Sequence, residues 1–381
     1  MKWLKNLFKI GMKTFPKDTS WMLNDDLSVN VKNVRRCREF AVLKETNQNR
    51  IFHNEGNVWN HTMLVCKEMH KIINDELSHL SNRDKRVLMI AALCHDLGKA
   101  TTTYFDKNEK QWHCKNHGFE GEKITRDLLF DEPDIWFREE VCWLVRWHMS
   151  FHYLLQKGHK ERYDELTRLA QGISTIQKLL WLNVADSLGS KSEHNSEELV
   201  EYRFNEIKDL AVANDCYTKR YKQFNSKGSF NMYLMIGVPG CGKDTYIENM
   251  LPTLENISRD DIREIIAYGD VKGRKLLLEN SEEKNVTDIV NSRIKKCCEE
   301  KRSFVINQTN MKKKYRTELK ETVLKYGKPN IIYVYIEAPS LDECKKRRGN
   351  GKWDGIIDRM WKSFEFPDKS ECDNLIIYKQ K

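Results

Sequence analysis

From about Asn57 to Phe224 the apolar residues of the chain recur every three or four positions, as in Val87, Ile90, Ala91 and Cys94, or Ile176, Leu179, Leu180 and Val184. That spacing predicts amphipathic helices. Beyond Phe224 the texture changes to short apolar runs, Met232 to Ile236, Ser303 to Ile306, Ile331 to Ile336 and Leu375 to Tyr378, separated by helical lengths long enough for crossovers. This alternation predicts a parallel α/β sheet. Asn225, Ser226, Lys227, Gly228 and Ser229 interrupt the helical pattern just before the change and read as a linker. The expected organisation is an N-terminal extension over 1–50 that resists assignment, an all-α domain over 51–225, and an α/β domain over 226–381. At the N-terminus, Lys2, Lys5, Lys9 and Lys13 alternate with Trp3, Leu4, Leu7, Phe8 and Ile10 in helical spacing. A helix packed on its own domain is favoured there over a membrane-surface helix.

Composition narrows the class of protein. With 381 residues the chain has room for more than one core, since single cores stop growing at about 250 residues. Sixty-five Lys and Arg against 56 Asp and Glu permit a polyanionic partner without requiring one. The 11 cysteines are scattered and never in a C-x-x-C spacing, so neither a disulfide framework nor a cysteine zinc site is indicated. A reducing, cytoplasmic setting fits. The longest purely apolar run, Val87 to Cys94, falls far short of the roughly 18 residues of a membrane span, so no membrane partner is expected.

The most specific local motif is Gly237-Val238-Pro239-Gly240-Cys241-Gly242-Lys243-Asp244-Thr245, which follows an apolar run and opens a helical segment. A glycine-rich loop in that context wraps phosphates with backbone N–H groups, and Lys243 would reach the β- and γ-phosphates of ATP or another triphosphate with its Mg²⁺. Asp244 stands where a hydroxyl usually ligates Mg²⁺, with Thr245 next, and the sequence does not divide the metal and α-phosphate roles between them. The loop alone fits a kinase, an ATPase or a GTPase. Ser258-Arg259-Asp260-Asp261-Ile262-Arg263 adds a carboxylate and an arginine three positions apart, which suits a base for an acceptor hydroxyl and a cation for a nearby phosphate. A plain helix-capping segment is the blander reading. Arg347 and Arg348 lie in the basic run Lys345 to Lys352 and are candidate lid arginines on the transferring phosphoryl group, unless the run is a solvated face.

These motifs, with Thr309-Asn310 after the third strand, resemble the phage-type polynucleotide 5′-kinases over about residues 230 to 381. The resemblance implies that Asp260 is the general base for a 5′-hydroxyl and that Arg263 contacts the acceptor's 3′-phosphate. Gln308 departs from the acidic residue usual before the Thr-Asn pair and is left out of the catalytic set.

In the helical half, His95-Asp96 ends an apolar helix, His61 lies upstream on another, and Asp186 lies downstream on a third. Imidazole and carboxylate ligands together suit a divalent ion such as Mn²⁺, Ni²⁺, Co²⁺, Fe²⁺ or Mg²⁺, which would acidify a bound water. A lone His-Asp pair is more often structural. The ordered set His61, His95-Asp96, Asp186, with His95-Asp96-Leu97-Gly98-Lys99 as its core, resembles the HD phosphohydrolases over about residues 55 to 190. That resemblance adds His117 and His148, which fall where members carry further histidines. Lys99 and Arg126 are candidate phosphate contacts that a solvated helix charge would explain equally well. His53, His70, His79, His113, His152, His159 and His194 lack motif context and read as surface or packing residues.

The two halves in this order resemble the bacterial HD-Pnk end-healing enzymes. The resemblance implies removal of 2′,3′-cyclic, 2′- or 3′-phosphate from RNA or DNA ends, and 5′-phosphorylation from a triphosphate. A separate ligase would then seal the ends, because no ligase-type lysine motif is visible, and a homodimer stays open. Two rivals remain: a nucleotidase fused to a nucleoside or nucleotide kinase, and an NTP-gated ATPase switch carrying an HD nucleotide sensor. The switch would need an acidic strand end, for which Glu337, ahead of Pro339, is the candidate.

Overall fold

The computed structural model describes residues 13–155, 158–169, 173–192, 196–218, 224–268, 280–338, 340–349, 351–368 and 370–380. Residues 1–12 of the amphipathic N-terminus, His194 and Pro339 lie outside them. The chain divides into two compact units, Met1–Arg220 and Tyr221–Lys381.

The first unit is helical, built around α1 (Val58–Asp75), α2 (Asn82–Cys94), α3 (His117–Leu128), α4 (Ile135–Trp147), α5 (Ile176–Gly189) and α6 (Glu197–Ala213). Side-chain caps fix several starts: Asn57 accepts from Asn60 N, Ser81 from Asp84 N, and Asp134 from Phe137 N. The run Val87 to Cys94 is wholly buried because α2 passes through the middle of the unit, which is why its apolar residues fill every face of the helix. Residues 13–50 are not an independent extension. Trp21, Met22, Val34, Phe40 and Leu43 join the same core as α1 and α2.

The helical pattern misses one feature, a hairpin of β1 (Thr103–Asp106) and β2 (Gln111–Cys114) pairing Phe105 with Trp112. Its turn is closed by Asp106 Oδ1, which accepts from the backbone N of Asn108 and Glu109.

The second unit contains a five-stranded, all-parallel sheet in the order β4-β5-β3-β6-β7, formed by β3 (Asn231–Ile236), β4 (Glu255–Ser258), β5 (Phe304–Asn307), β6 (Asn330–Glu337) and β7 (Asn374–Lys379). Helices α7 (Lys243–Met250), α8 (Arg259–Tyr268), α9 (Asn280–Glu299), α10 (Lys313–Tyr326), α11 (Leu341–Arg348) and α12 (Asp354–Lys362) connect the strands. The stretch read as a linker is anchored to this unit. Ser226 Oγ donates to Asp373 Oδ2 at 2.7 Å, and Gly228 N donates to Asn330 Oδ1 at 2.8 Å. In such sheets ligands bind beyond the carboxyl ends of the strands, where the strand order reverses.

Candidate active sites

Five helices of the first unit deliver six ligand-type side chains to one point. His61 comes from α1, His95 and Asp96 from the end of α2, His117 from the start of α3, His148 from the end of α4, and Asp186 from α5. They fall into two compact triads, His61, His95 and Asp186, and Asp96, His117 and His148. His61 Nε2 lies 2.9 Å from Asp186 Oδ1 and 3.3 Å from His95 Nε2, while His117 Nε2 lies 3.1 Å from His148 Nε2. Asp96 reaches both sides, with Oδ2 3.3 Å from His95 Nε2 and Oδ1 3.5 Å from His117 Nε2.

The ring nitrogens reveal what belongs between them. His95 Nδ1 sits 2.8 Å from Ala92 O, His117 Nδ1 2.8 Å from Cys114 O, and His148 Nδ1 2.7 Å from Val145 O. A carbonyl can only accept, so each of these Nδ1 atoms carries a proton and each ring turns its Nε2 inward, to take a metal ion or, in the metal-free protein, a proton. His61 is held differently, between two carboxylates: Glu55 Oε1 lies 2.9 Å from its Nδ1 and Asp186 Oδ1 lies 2.9 Å from its Nε2. Lone pairs facing one another at 3.1–3.3 Å, beside a buried Asp96 Oδ1 with no hydrogen-bond partner among the described residues, repel unless a cation or proton lies between them. The donor set therefore fits divalent metal ions at both triads. Gly98 makes the convergence sterically workable, since a Cβ there would stand 2.0 Å from His117 O and 2.5 Å from Gly121 N.

In the second unit, residues at the carboxyl ends of β3, β4 and β5 line one open cavity of about 1580 Å³. Pro239, Gly240, Gly242 and Lys243 of the glycine-rich loop line it. Gly240 has φ +82°, and a Cβ on it would meet Cys344 O at 2.5 Å, so only glycine fits. Lys243 opens α7, and its Nζ donates to Gly237 O at 2.9 Å and Val238 O at 3.0 Å. Asp244 and Thr245 line the cavity, and Asp244 Oδ1 accepts from Asn307 Nδ2 at 2.8 Å. Asp260 and Arg263, one turn apart on α8, face the same space, joined at 2.8 Å. Arg347 and Arg348 at the end of α11 close another side. Arg347 hydrogen-bonds Gln380, and Arg348 lies 5.1 Å over the Trp353 ring.

Residues 58–181 match the family profile of the HD domain, and residues 232–351 match that of the AAA domain. The chain carries an HD domain followed by a P-loop kinase-like AAA domain. No curated protein matches it. Among solved structures, a chain described under "Structure of Pnkp1/Rnl/Hen1 complex" is similar at 20% identity over 34% of this chain and 42% of that one, with a TM-score of 0.28. A proposed kinase from Chloroflexus aurantiacus is similar at 13% identity over 40% of this chain and 86% of its own, with a TM-score of 0.32. The chain thus spans less than half the length of the first of these.

Charges around the HD ligands act against burial, with unequal results. Burial would raise the Asp96 carboxyl, but His95 and Lys99 hold it well below the usual carboxylate range, and hydrogen bonds from His61 and His95 do the same for Asp186. Burial would lower His95, yet Asp96 and Asp186 push it up to about 10. Across the site burial wins: His148 falls to about 3, aided by His117 and His95, and His117 is lowered too. One triad therefore holds a proton near neutrality where a metal would sit, and the other is already proton-free.

Of the two candidate phosphate contacts in the HD domain, the structure brings only one to the ligands. Lys99 Nζ is 2.7 Å from Asp96 Oδ2 and lines the HD cavity. Arg126 is a correction. It is buried away from the cavity, paired with Glu139 at 2.7 Å and Glu122 at 2.9 Å, so its charge serves the packing of α3 on α4. The arginines that line the cavity are Arg203 and Arg146, the latter donating to Glu122 Oε2 at 2.8 Å and stacking 4.3 Å over Phe119. His53 also departs from the surface reading: its Nδ1 is 2.9 Å from the Glu55 carboxylate that orients His61, and it lines the cavity. Sequence reasoning missed Glu55 as well. Glu55 sits in the loop ahead of Gly56 in no motif, and the only clue was its place six residues ahead of His61. In the AAA domain Glu283 was missed for the same reason. It accepts from Arg263 Nε at 2.7 Å and from Arg259 Nη2 at 2.9 Å across a long sequence gap.

Proposed function

We propose that this protein heals nucleic-acid ends. The AAA domain transfers the γ-phosphoryl group of a triphosphate to a 5′-hydroxyl, and the HD domain clears 2′,3′-cyclic, 2′- or 3′-phosphate from the other end. The observation that carries the reading is the placement of Asp260 on the rim of the phosphate-loop cavity. Its side chain is 63% exposed, available to an acceptor, while Lys243 lies in the floor. Asp260 accepts the proton of the 5′-hydroxyl as its oxygen attacks the γ-phosphorus and the nucleoside diphosphate leaves. Lys243, Arg347 and Arg348 offset the charge on the phosphoryl oxygens, and Arg263 takes an acceptor phosphate.

The cavity, about 1580 Å³, has room for a triphosphate and an acceptor side by side. The switch reading asks for an acidic strand end at the phosphates. Glu337 closes β6 but is 3% exposed and is absent from the described residues that line the cavity.

In the HD domain, His61, His95, Asp96, His117, His148 and Asp186 would hold divalent ions, whose chemistry there is to acidify water. Attack of water opens the cyclic phosphate to a monoester, and a second attack releases inorganic phosphate and leaves a free hydroxyl. Lys99, held against Asp96, and Arg146 at the mouth supply positive charge toward the phosphate. A separate ligase would join the healed ends.

The test is one RNA carrying a 5′-hydroxyl and a 2′,3′-cyclic phosphate, incubated with ATP and Mn²⁺, with both ends scored. Both ends should be converted. Phosphorylation of nucleosides with no reaction at oligonucleotide ends would refute the reading.

A further inference from the structure

The HD cavity, about 800 Å³, is ringed above its metal ligands by aromatic side chains that the hydrolytic chemistry leaves unused. The hairpin forms one wall. Thr103, Phe105, Trp112 and Cys114 alternate onto a single face of it, and of these Thr103, Trp112 and Cys114 line the cavity. Trp112 is braced edge-on by Phe105, with ring centroids 5.1 Å apart. A second wall is the loop before α1, from which Phe52 lines the same cavity with 45% of its surface exposed. Asn49 in that loop donates to Gln111 of the hairpin at 3.0 Å, so the two walls are tied together. Tyr153, 56% exposed, lines the cavity from the helix Ser150–Leu154. Cations stand among these rings: Lys115 at the hairpin's foot and Arg146, held by Glu122.

Phe52 and Tyr153 stand exposed beside a half-buried Trp112, and rings interleaved with cations at a cavity mouth match bases and phosphates of a single strand. We propose that the mouth of the HD cavity is a nucleobase subsite in which Trp112, with Phe52 and Tyr153 beside it, stacks the base of the strand's 3′-terminal nucleotide. Lys115 and Arg146 take the phosphates flanking it. The inference rests on the HD domain acting on strand ends. It adds that the enzyme reads the presence of a base there, without reading which base, because every base offers a π-face.

The experiment uses the full chain with Mn²⁺ and two oligonucleotides ending in a 3′-phosphate, alike except that one has an abasic terminal ribose. Wild-type protein should prefer the base-bearing end by about tenfold in kcat/KM, the size of one base–ring stack. Trp112→Ala should erase that preference, and Trp112→Phe should restore most of it. As a binding readout, a terminal 2-aminopurine on a 3′-hydroxyl strand should be quenched by wild-type protein and not by Trp112→Ala. Equal turnover of both ends by the wild type, with no quenching, overturns the subsite while leaving end healing intact. Turnover of neither end, with mononucleotides hydrolysed, overturns both. The wild-type comparison decides the matter even if Trp112→Ala fails to fold.

Discussion

The two sites are finished to different degrees. Around the HD ligands three imidazoles have their Nδ1 protons committed to carbonyls three residues back, Glu55 lies against the fourth, and the side chains of His61, His95, Asp96 and His148 are at most 1% exposed. The AAA cavity is open, Asp260 is mostly in solvent, and Lys243 rests on its own loop. A metal centre must place lone pairs before an ion arrives, whereas phosphoryl transfer needs groups that close on two substrates in turn. Rigid burial serves the first and exposure the second.

The strongest way to break this contrast is to disable one site and watch the other. Asp96→Ala should reduce phosphate release from 2′,3′-cyclic ends by at least about a thousandfold and leave 5′-phosphorylation within about twofold, since metal-acidified water is lost in one domain only. Lys243→Ala should do the reverse. Loss of both activities in a folded Asp96→Ala protein, judged by circular dichroism, would show the sites to be coupled. A smaller effect is expected outside the ligands. Glu55→Gln keeps the shape but removes the charge that orients His61, and should weaken metal affinity or hydrolysis by roughly 10- to 100-fold, read by Mn²⁺ titration.

Protons sharpen the contrast further. His95 is raised to about 10, so in the metal-free protein its proton stabilises the fold fully below about pH 6.5, and that contribution is lost as pH rises through 10. Metal binding must expel the proton, so its affinity runs the other way and should rise about tenfold per pH unit near neutrality. Calorimetry in buffers of different ionisation heat would count the proton released; zero release would show that His95 is not protonated there. On the kinase side, Arg263→Ala should weaken use of 3′-phosphorylated acceptors by about tenfold, the scale of a charged hydrogen bond. Glu283→Gln, which only loosens Arg263, should raise acceptor KM about threefold with little change in kcat.

Much of this was legible in the chain. Period and texture predicted a helical half and a parallel sheet, and His95-Asp96 and Gly237 to Lys243 drew attention because each is a local motif whose residues act together. The hairpin escaped because four-residue strands lie inside a helical region, although Thr-Tyr-Phe and Gln-Trp-His around Asp106-Lys107-Asn108 carry the β-branched and aromatic composition of one. Arg126 was misread because a charge on a helix looks the same in sequence whether it meets a phosphate or a buried carboxylate. Glu55, Arg146 and Glu283 gain meaning only from partners that the fold brings near.

Lys243 has a consequence beyond catalysis. With its ammonium hydrogen-bonded to Gly237 O and Val238 O, the lysine's charge is pinned to the loop that lines the cavity. A triphosphate would meet that charge already placed, adding anionic oxygens to its two neutral acceptors. Salt should therefore tune occupancy, because screening weakens the ammonium's attraction for the anion far more than its hold on the neutral carbonyls.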